Sequence, residues 1–314
     1  MNKQKMDSTK RPSSYLDKRF DRLRDQDYSS LNQQNKSSRA LKKLQSNRLA
    51  VIGIIFSLTI ILSSIFAPLI TKYDPQKVDL RSMLKPPSSE HILGTDKIGR
   101  DVFARIIYGG RISILVGLGS ALGAALIGVS IGAYTAYRGG WWDSIFLRIS
   151  EIFMAFPQII LVLLLVSVLG QSLMNLIIIF VITGWGGLYR MTRAQVLSLR
   201  EEEYVQALRA FGLSRARICF KHILPNALGP IMVNITLSTA MFILEEAALS
   251  FLGLGVPLNI PTWGNILNVA QDLRVLQNYW WVWLPSGITI SLFVLAINFV
   301  GDGLRDSTDP TLQG

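Results

Sequence analysis

The chain has 314 residues, of which 50% are hydrophobic, and its formal net charge is +11. With a mean hydropathy of +0.35, this composition excludes an ordinary soluble protein and indicates a membrane protein that crosses the bilayer several times. A charge of this size is also typical of nucleic-acid-binding proteins, so the positions of the basic residues decide between the two classes.

Six stretches are long and apolar enough to cross a bilayer, which needs roughly 20 mostly apolar residues. They are Leu49–Ile70, Ile112–Tyr134, Ile149–Leu169, Leu173–Tyr189, Leu228–Leu252 and Leu284–Val300. We therefore predict an all-α membrane protein with six transmembrane helices over residues 49–304. Polar tails are predicted over residues 1–48 and 305–314. The first span is too long and too far from the first residue for a signal peptide.

The basic residues are distributed unequally between the two membrane faces. With both termini in the cytoplasm, roughly 23 Lys and Arg residues lie inside and roughly 9 outside, as the positive-inside rule expects. The loop Thr71–Arg111 is discordant, because it carries about eight of the outside charges. The alternation of the spans still favours cytoplasmic termini. The charge pattern therefore indicates membrane insertion and not nucleic-acid binding.

Within the first outer loop, residues 91–113 predict an amphipathic helix on the outer membrane face. The polar side of this helix would carry Arg100, Asp101 and Arg105. The opposite side would be apolar and would carry Ile98, Val102, Phe103, Ile106 and Ile107.

Residues that carry chemistry are sparse in this chain. His91 and Asp96 suggest a metal site, but the chain has only two histidines, and His222 falls on the opposite membrane face. The single cysteine, Cys219, excludes an intrachain disulfide and a cysteine metal cluster. No Gly-x4-Gly-Lys-Ser/Thr phosphate loop occurs, and no catalytic Ser–His–Asp or Cys–His set is placed credibly. We therefore predict a non-catalytic chain that binds neither a cofactor nor a metal.

The second span contains two pairs of glycines four residues apart, Gly119 with Gly123 and Gly128 with Gly132. Small residues at this spacing let helix backbones approach closely in lipid. We predict that this span packs tightly against a neighbouring helix.

The loop between the fourth and fifth spans predicts a short helix outside the bilayer. The acids Glu201 to Glu203 lie where the helix would begin and favour its N-terminal dipole. Gly212 is placed to end it with a left-handed cap. Ser214 is expected to cap the next helix, and Pro225 to interrupt the path back into the membrane.

Four residues of this short helix fall at helical spacing and form one apolar stripe: Tyr204, Ala207, Leu208 and Phe211. An exposed aromatic stripe on such a helix is typical of a segment that docks into a groove on another protein. The alternative is an ordinary loop between two spans.

Two carboxylates, Glu245 and Glu246, lie within the fifth span. A carboxylate inside a span is costly, and it indicates either a translocation pathway or a buried pairing. The sequence leaves these two interpretations open. Arg148 and Glu151 lie three residues apart on the third span, where we expect them to pair locally.

The loop after the fourth span resembles the EAA loop of ABC importer permeases, whose pattern is Glu-Ala-Ala, three residues, Gly, nine residues, Ile-x-Leu-Pro. The residues that fit this spacing are Ala207, Gly212, Leu224 and Pro225. The residues that depart from it are Gln206, Leu208 and His222, which replace Glu, Ala and Ile. The resemblance implies contact with an ATPase subunit, through Glu203, Tyr204, Gln206, Ala207, Leu208, Phe211, Gly212 and Pro225.

Three further segments narrow the class. The outer loop resembles the stretch His-x-Leu-Gly-Thr-Asp-x-x-Gly-Arg-Asp-Val of permeases for oligopeptides, dipeptides and nickel. The matching residues are Gly94, Thr95, Asp96, Gly99, Arg100, Asp101 and Val102. Residues 246–255, followed by Pro261, Trp263 and Gly264, look like the end of the fifth span in the same class. Residues 301–306 resemble its C-terminal ending.

Taken together, these resemblances reach from about Leu49 to the C-terminus and point to the C-type permease subunit of an oligopeptide or dipeptide ABC importer. They imply a second permease, two cytoplasmic ATPases that bind ATP and Mg, and an extracytoplasmic binding protein, in a bacterial cell membrane. Peptides are the expected substrate. Nickel, glutathione or another small solute is an alternative, and a secondary transporter or a membrane enzyme are alternatives from other classes.

Overall fold

A computed structural model of the chain describes residues 43–308, without the side chain of Thr308. Residues 1–42 and 309–314, which hold most of the two predicted tails, lie outside the described residues. The described part is built from α-helices joined by loops and short turns, and an isolated bridge pairs Thr95 with Asp101. The predicted all-α class is confirmed.

Twelve α-helices lie wholly within the described residues, and residues 43–46 are also helical. They are α1 Arg48–Ile65, α2 Ala67–Ile70, α3 Val102–Arg138, α4 Trp141–Ala155, α5 Gln158–Leu169, α6 Leu173–Leu199, α7 Glu203–Ala210, α8 Arg215–Arg217, α9 Leu224–Phe251, α10 Trp263–Leu267, α11 Leu273–Asn278 and α12 Trp280–Thr308. A π-helix, Ile218–Ile223, joins α8 to α9, and two 3-10 turns occupy Leu80–Ser82 and Asn268–Gln271.

Five of the six predicted spans are long, apolar helical runs: α1, α3, α6, the run Arg215–Phe251 and α12. The predicted third span is not straight, because α4 and α5 meet at an angle of 87°. Pro157 causes this break, since proline disfavours helical geometry at the residue before it, and Phe156 is extended with ψ 140°. The twelve residues of α5 rise only about 18 Å, less than the hydrocarbon core of a bilayer.

The predicted amphipathic helix on the outer face is wrong. Helix α3 runs without a break for 37 residues from Val102, so its first turns and the second span are one helix. The carboxylate of Asp101 accepts a hydrogen bond from the Ala104 N–H at 2.7 Å and sets this start. Arg105, expected on a polar side, is only 2% exposed.

The predicted tight packing of the second span is confirmed at the interface of α3 with α6. A Cβ added at Gly128 would lie 2.6 Å from the Trp185 carbonyl oxygen, and one at Gly132 would lie 2.8 Å from that of Tyr189. Any larger residue would force these two backbones apart. Gly119 has no such neighbour, because nothing lies within 4 Å of its Cβ position.

Three buried clusters hold the helices together. The central cluster joins α3, α5, α6 and α9, and its rings Phe180 and Phe242 stack with centroids 5.2 Å apart. A second cluster surrounds Trp263, whose indole N–H donates to the Ile106 carbonyl at 3.0 Å. The third cluster lies beneath α7 and includes Val205.

The two ends of the membrane domain meet. The side-chain amide of Asn47, which caps α1, donates to the carboxylate of Asp306 near the end of α12 at 3.1 Å. The start of the first span and the end of the last therefore lie on the same side of the domain, as an even number of crossings requires.

Candidate functional site

Helix α7 has the start and the end that the sequence predicts. It begins at Glu203, and Gly212 lies just beyond its C-terminus with a φ of 75°. The Gly212 N–H donates to the Arg209 carbonyl at 2.9 Å, and the Leu213 N–H donates to the Leu208 carbonyl at 3.3 Å. These two bonds form a Schellman motif, which satisfies the last carbonyls of the helix.

The two faces of α7 have different neighbours. Val205 is fully buried in the third cluster, and Leu208 packs against the same cluster. The other apolar side chains point outward, with Tyr204 39% and Phe211 82% exposed. The predicted stripe is therefore corrected at Leu208, which anchors the helix to the chain, while Tyr204, Ala207 and Phe211 stay exposed.

Arginines fasten α7 to the ends of α3 and α6. The Arg209 guanidinium lies over the Tyr137 ring, 5.3 Å from its centroid, and donates to the Tyr137 hydroxyl at 3.2 Å. Arg200 donates to the Ala136 carbonyl at 3.0 Å and pairs with Glu201 at 2.8 Å. A displacement of α7 would therefore pull on both membrane helices.

Gln206, which stands where the EAA pattern has Glu, makes a contact that a glutamate could not. Its side-chain amide donates to the Glu201 carbonyl at 3.1 Å, and an ionised carboxylate has no proton to donate. The substitution therefore replaces a charge by a local hydrogen bond that fixes the start of α7. Partial burial raises the pKa of the nearby Tyr204 phenol.

Two expectations for the return into the membrane are corrected. Pro225 does not interrupt the chain, because it lies in the first turn of α9, where a missing N–H is tolerated, directly after the π-helix. Ser214 precedes α8, but its side chain makes no capping hydrogen bond. The chain thus runs from Arg215 to Phe251 as one long helical segment.

Glu246 is buried and hydrogen-bonded. It is 0% exposed, and it accepts from the Ser250 hydroxyl at 2.7 Å and from the Ser113 hydroxyl at 3.1 Å. The Ser113 hydroxyl in turn accepts from the backbone N–H of Trp263 at 3.1 Å. Glu246 therefore joins α3, α9 and the start of α10, and of the two interpretations the geometry favours a buried pairing.

Glu245 differs from its neighbour in its surroundings. Its Oε2 atom is buried and has no hydrogen-bond partner among residues 43–308, although the residue as a whole is partly exposed. The sequence-based choice between a pathway role and a pairing is therefore still open at Glu245. On the third span, Arg148 and Glu151 pair at 2.9 Å, as expected.

The outer loop that resembles the peptide and nickel permeases is a folded structural unit. Asp96 is 4% exposed and accepts from the Arg100 side chain at 2.7 Å. His91 bonds to Asp101 at 2.8 Å through its Nδ1 atom. Both carboxylates are thus engaged within the loop, and no cluster of metal-ligating residues occurs in the described part of the chain.

A cavity of about 400 Å³ lies where the bent pair α4–α5 meets α6 and α9. Its lining is largely apolar, with polar groups from Gln158, Asn234 and Ser238. The amide nitrogen of Gln158 is buried without a hydrogen-bond partner among the described residues. A Cβ added at Gly187, which also lines the cavity, would meet nothing within 4 Å.

The described chain thus combines five span-length helices and one bent helix pair with a capped helix outside these spans, and comparison with known proteins gives the family. Residues 125–314 match the family described as binding-protein-dependent transport system inner membrane component. Residues 37–87 match the N-terminal TM domain of oligopeptide transport permease C. The chain belongs to this family of transport permeases, which confirms the predicted resemblance to C-type subunits.

Individual relatives cover most of the chain. It is 43% identical over 274 residues to a dipeptide transport system permease protein DppC of Alkalihalophilus pseudofirmus, covering 87% of this chain and 90% of the relative. It is 43% identical over 275 residues to the oligopeptide transport system permease protein OppC of Bacillus subtilis, covering 87% and 89%. A putative peptide permease of Brucella suis is 42% identical over 276 residues, covering 88% and 91%.

Several residues of the site were not identified from the sequence. Val205 and Arg209 lie four residues apart, so they form a second face of α7 that anchors the helix. A search for two opposed apolar faces would have found Val205, which shares the inner side with Leu208, but not the charged Arg209. Gln158 and Asn234 line one cavity because of the bend at Pro157, whose direction the sequence alone does not give.

Proposed function

We propose that this chain is a permease subunit of an ATP-driven importer of oligopeptides or dipeptides. The names of its relatives support peptides as the substrate over nickel or another small solute. The protein would form the translocation pathway with a second permease in a bacterial cell membrane. It would take its substrate from an extracytoplasmic binding protein, and two cytoplasmic ATPases would bind ATP and Mg.

The observation that carries this proposal is the outward face of α7. Tyr204, Ala207 and Phe211 form an exposed apolar stripe on a helix that is otherwise firmly anchored. A short amphipathic helix of this kind fits a groove on a partner protein. We assign this groove to the ATPase, with Glu203, Gln206, Leu208, Gly212 and Pro225 as supporting residues of the contact segment.

Motion would pass from the ATPase to the membrane through the anchors of α7. ATP binding would close the two ATPases and carry α7 with them. Because Arg209 and Val205 hold α7 against α3, a shift of α7 would tilt that span. The pathway would then alternate between inward- and outward-facing states, with ATP hydrolysis resetting it.

The cavity beside Gln158 would form this chain's part of the pathway. A break in a helix at membrane depth is tolerated where it is buried in protein or lines a cavity, and the α4–α5 break meets this condition. The unpartnered Gln158 amide offers a hydrogen-bond donor of the kind that a passing peptide carbonyl accepts.

Growth on peptides tests the substrate. Deletion of this chain should abolish growth on short peptides as the sole source of a required amino acid, and nickel accumulation should be unchanged. The control is growth of the same strain on the free amino acid. Loss of nickel uptake with intact peptide use would leave the permease family standing and overturn the peptide substrate.

A further inference from the structure

A second cavity, of about 480 Å³, lies between the inner side of α7 and the ends of α3 and α6. Four arginines and one glutamate contribute the charged groups of its lining: Arg138, Arg200, Arg209, Arg215 and Glu201. The ATPase contact proposed above does not occupy this cavity, because Tyr204 and Phe211 point outward whereas Arg209 points inward to Tyr137.

The positive charges of this cavity are only partly neutralised. Arg200 pairs with Glu201 at 2.8 Å, and Arg209 stacks on the Tyr137 ring. In the part of the chain that the structure describes, Arg138 donates only to the Tyr134 hydroxyl, at 3.4 Å. Within residues 43–308, no carboxylate lies at ion-pair distance from Arg138, Arg209 or Arg215. Arg138, Arg209 and Arg215 are exposed, so solvent weakens the repulsion between their guanidinium groups, and an anion bound in the cavity would relieve what remains.

The position of the cavity indicates where such an anion would come from. Arg138 is the last residue of the long membrane helix α3. Trp141 and Trp142 follow it and are 68% and 46% exposed. Exposed tryptophans at the end of a membrane helix mark the level of the lipid headgroups. The cavity therefore opens at the membrane surface, within reach of lipid phosphates.

We propose that this arginine cavity binds a phosphate group, supplied by the headgroup of an anionic phospholipid. Planar guanidinium groups match the geometry of phosphate oxygens and bind them through paired, charge-assisted hydrogen bonds. A bound phosphate would bridge Arg138 on α3 to Arg209 and Arg215 on the α7–α8 segment. It would thereby stiffen the connection between the ATPase contact and the membrane helices.

The test uses the full chain, with the subunits that purify with it, in phosphatidylcholine vesicles with and without phosphatidylglycerol. Native mass spectrometry after extraction measures the phosphatidylglycerol that stays bound. Arg138→Gln and Arg215→Gln should each lower this amount roughly tenfold, as expected for the loss of a charge-assisted hydrogen bond. Arg217→Gln is the matched control, because Arg217 is exposed on the same short helix and does not line the cavity.

Inorganic phosphate provides the second arm. Inorganic phosphate should displace the bound lipid. If Arg215→Gln weakens the binding of phosphate and Arg217→Gln does not, the result supports the same site. Binding of inorganic phosphate alone, without lipid retention, would keep the phosphate site and reassign its source to free phosphate. Equal retention of both anions by the Arg215 and Arg217 variants would overturn the proposal. So would an Arg215→Cys crosslink to an acidic segment of the ATPase that forms regardless of lipid. These measurements do not depend on the transported solute.

Discussion

Gly212 combines a left-handed backbone with an unobstructed Cβ position, since φ is 75° and nothing lies within 4 Å. Substitution there therefore tests backbone conformation and not packing. Gly212→Val should leave the protein inserted but abolish uptake, because the strain of about 1 kcal/mol or more displaces the end of α7. Membrane abundance and peptide uptake are the two measurements.

Gly212→Asn is the matched control for this prediction. Asparagine tolerates the left-handed region better than other residues with a Cβ, so this variant should retain most of the uptake. Equal transport by the valine and asparagine variants would show that the Schellman cap does not matter for coupling.

Substitution of Glu246 should destabilise the protein more than substitution of Glu245. Glu246→Ala would leave the hydroxyls of Ser113 and Ser250 without their acceptor, at a cost of roughly 1–3 kcal/mol. The amount of folded protein in the membrane should therefore fall together with uptake. Glu245→Ala is the comparison, and it should leave the amount unchanged, because no hydrogen bond to a described residue is lost.

Glu246→Gln separates charge from hydrogen bonding. The amide oxygen still accepts from one hydroxyl, so abundance should recover partly. Normal abundance of Glu246→Ala with uptake lost would instead assign Glu246 to the pathway.

At the scale of the elements, the bend between α4 and α5 creates the cavity beside Gln158. Gly187→Phe should fill this space without a clash at Cβ, because nothing lies within 4 Å of that position. The variant should insert normally and lose most of its peptide uptake. Uptake by cells with matched membrane levels of the protein is the measurement.

Gly119→Phe is the matched control for the cavity. Gly119 is also a helical glycine with an open Cβ position, but it does not line this cavity. We expect its uptake to exceed that of Gly187→Phe by a wide margin. The pathway assignment fails if the two variants transport equally well.

The helices differ in how far the sequence predicts them. Hydropathy places five spans, because a run of apolar residues has one favourable location in a bilayer. Hydropathy averaged over a stretch of about 20 residues includes Phe156 and Pro157 without distinction, so it does not predict that the third crossing bends by 87°. The prediction of a separate amphipathic helix in the outer loop was wrong for a related reason. Asp101 caps α3, and the apolar residues after it continue directly into the span.

The site shows the same division. The start and end of α7 could be predicted from the sequence, because Gly212 and the acids before α7 act on residues only a few positions away. The inner contacts of α7 could not be predicted, because Val205 and Arg209 contact residues of α3 that are distant in the sequence. The cavity at Gln158 and the burial of Glu246 depend on how whole helices pack.

For the whole molecule, orientation across the membrane is a prediction that labelling can test. Lys97 and Asp272 pair at 2.9 Å and therefore lie on the same face of the protein, which we predict to be the outer one. Cysteines at both positions should then react with an impermeant reagent added from outside. Both chain termini and the loop containing Arg209 should face the cytoplasm. A cysteine at exposed position 217 of that loop should therefore react only after the membrane is opened.

The background for this experiment is Cys219→Ser, which removes the one native thiol. Reaction of position 217 in intact cells would reverse the orientation and place the α7 stripe where no cytoplasmic ATPase could reach it.

The 82% exposure of Phe211 bears on how long a copy of this protein survives in the cell. A chain synthesised in excess of its partners shows this ring to water, and exposed apolar residues of this kind promote aggregation. Quality-control proteases remove such unassembled chains, and a covered ring would be spared. The stoichiometry of the transporter would then be corrected after synthesis, by the lifetime of each orphan subunit.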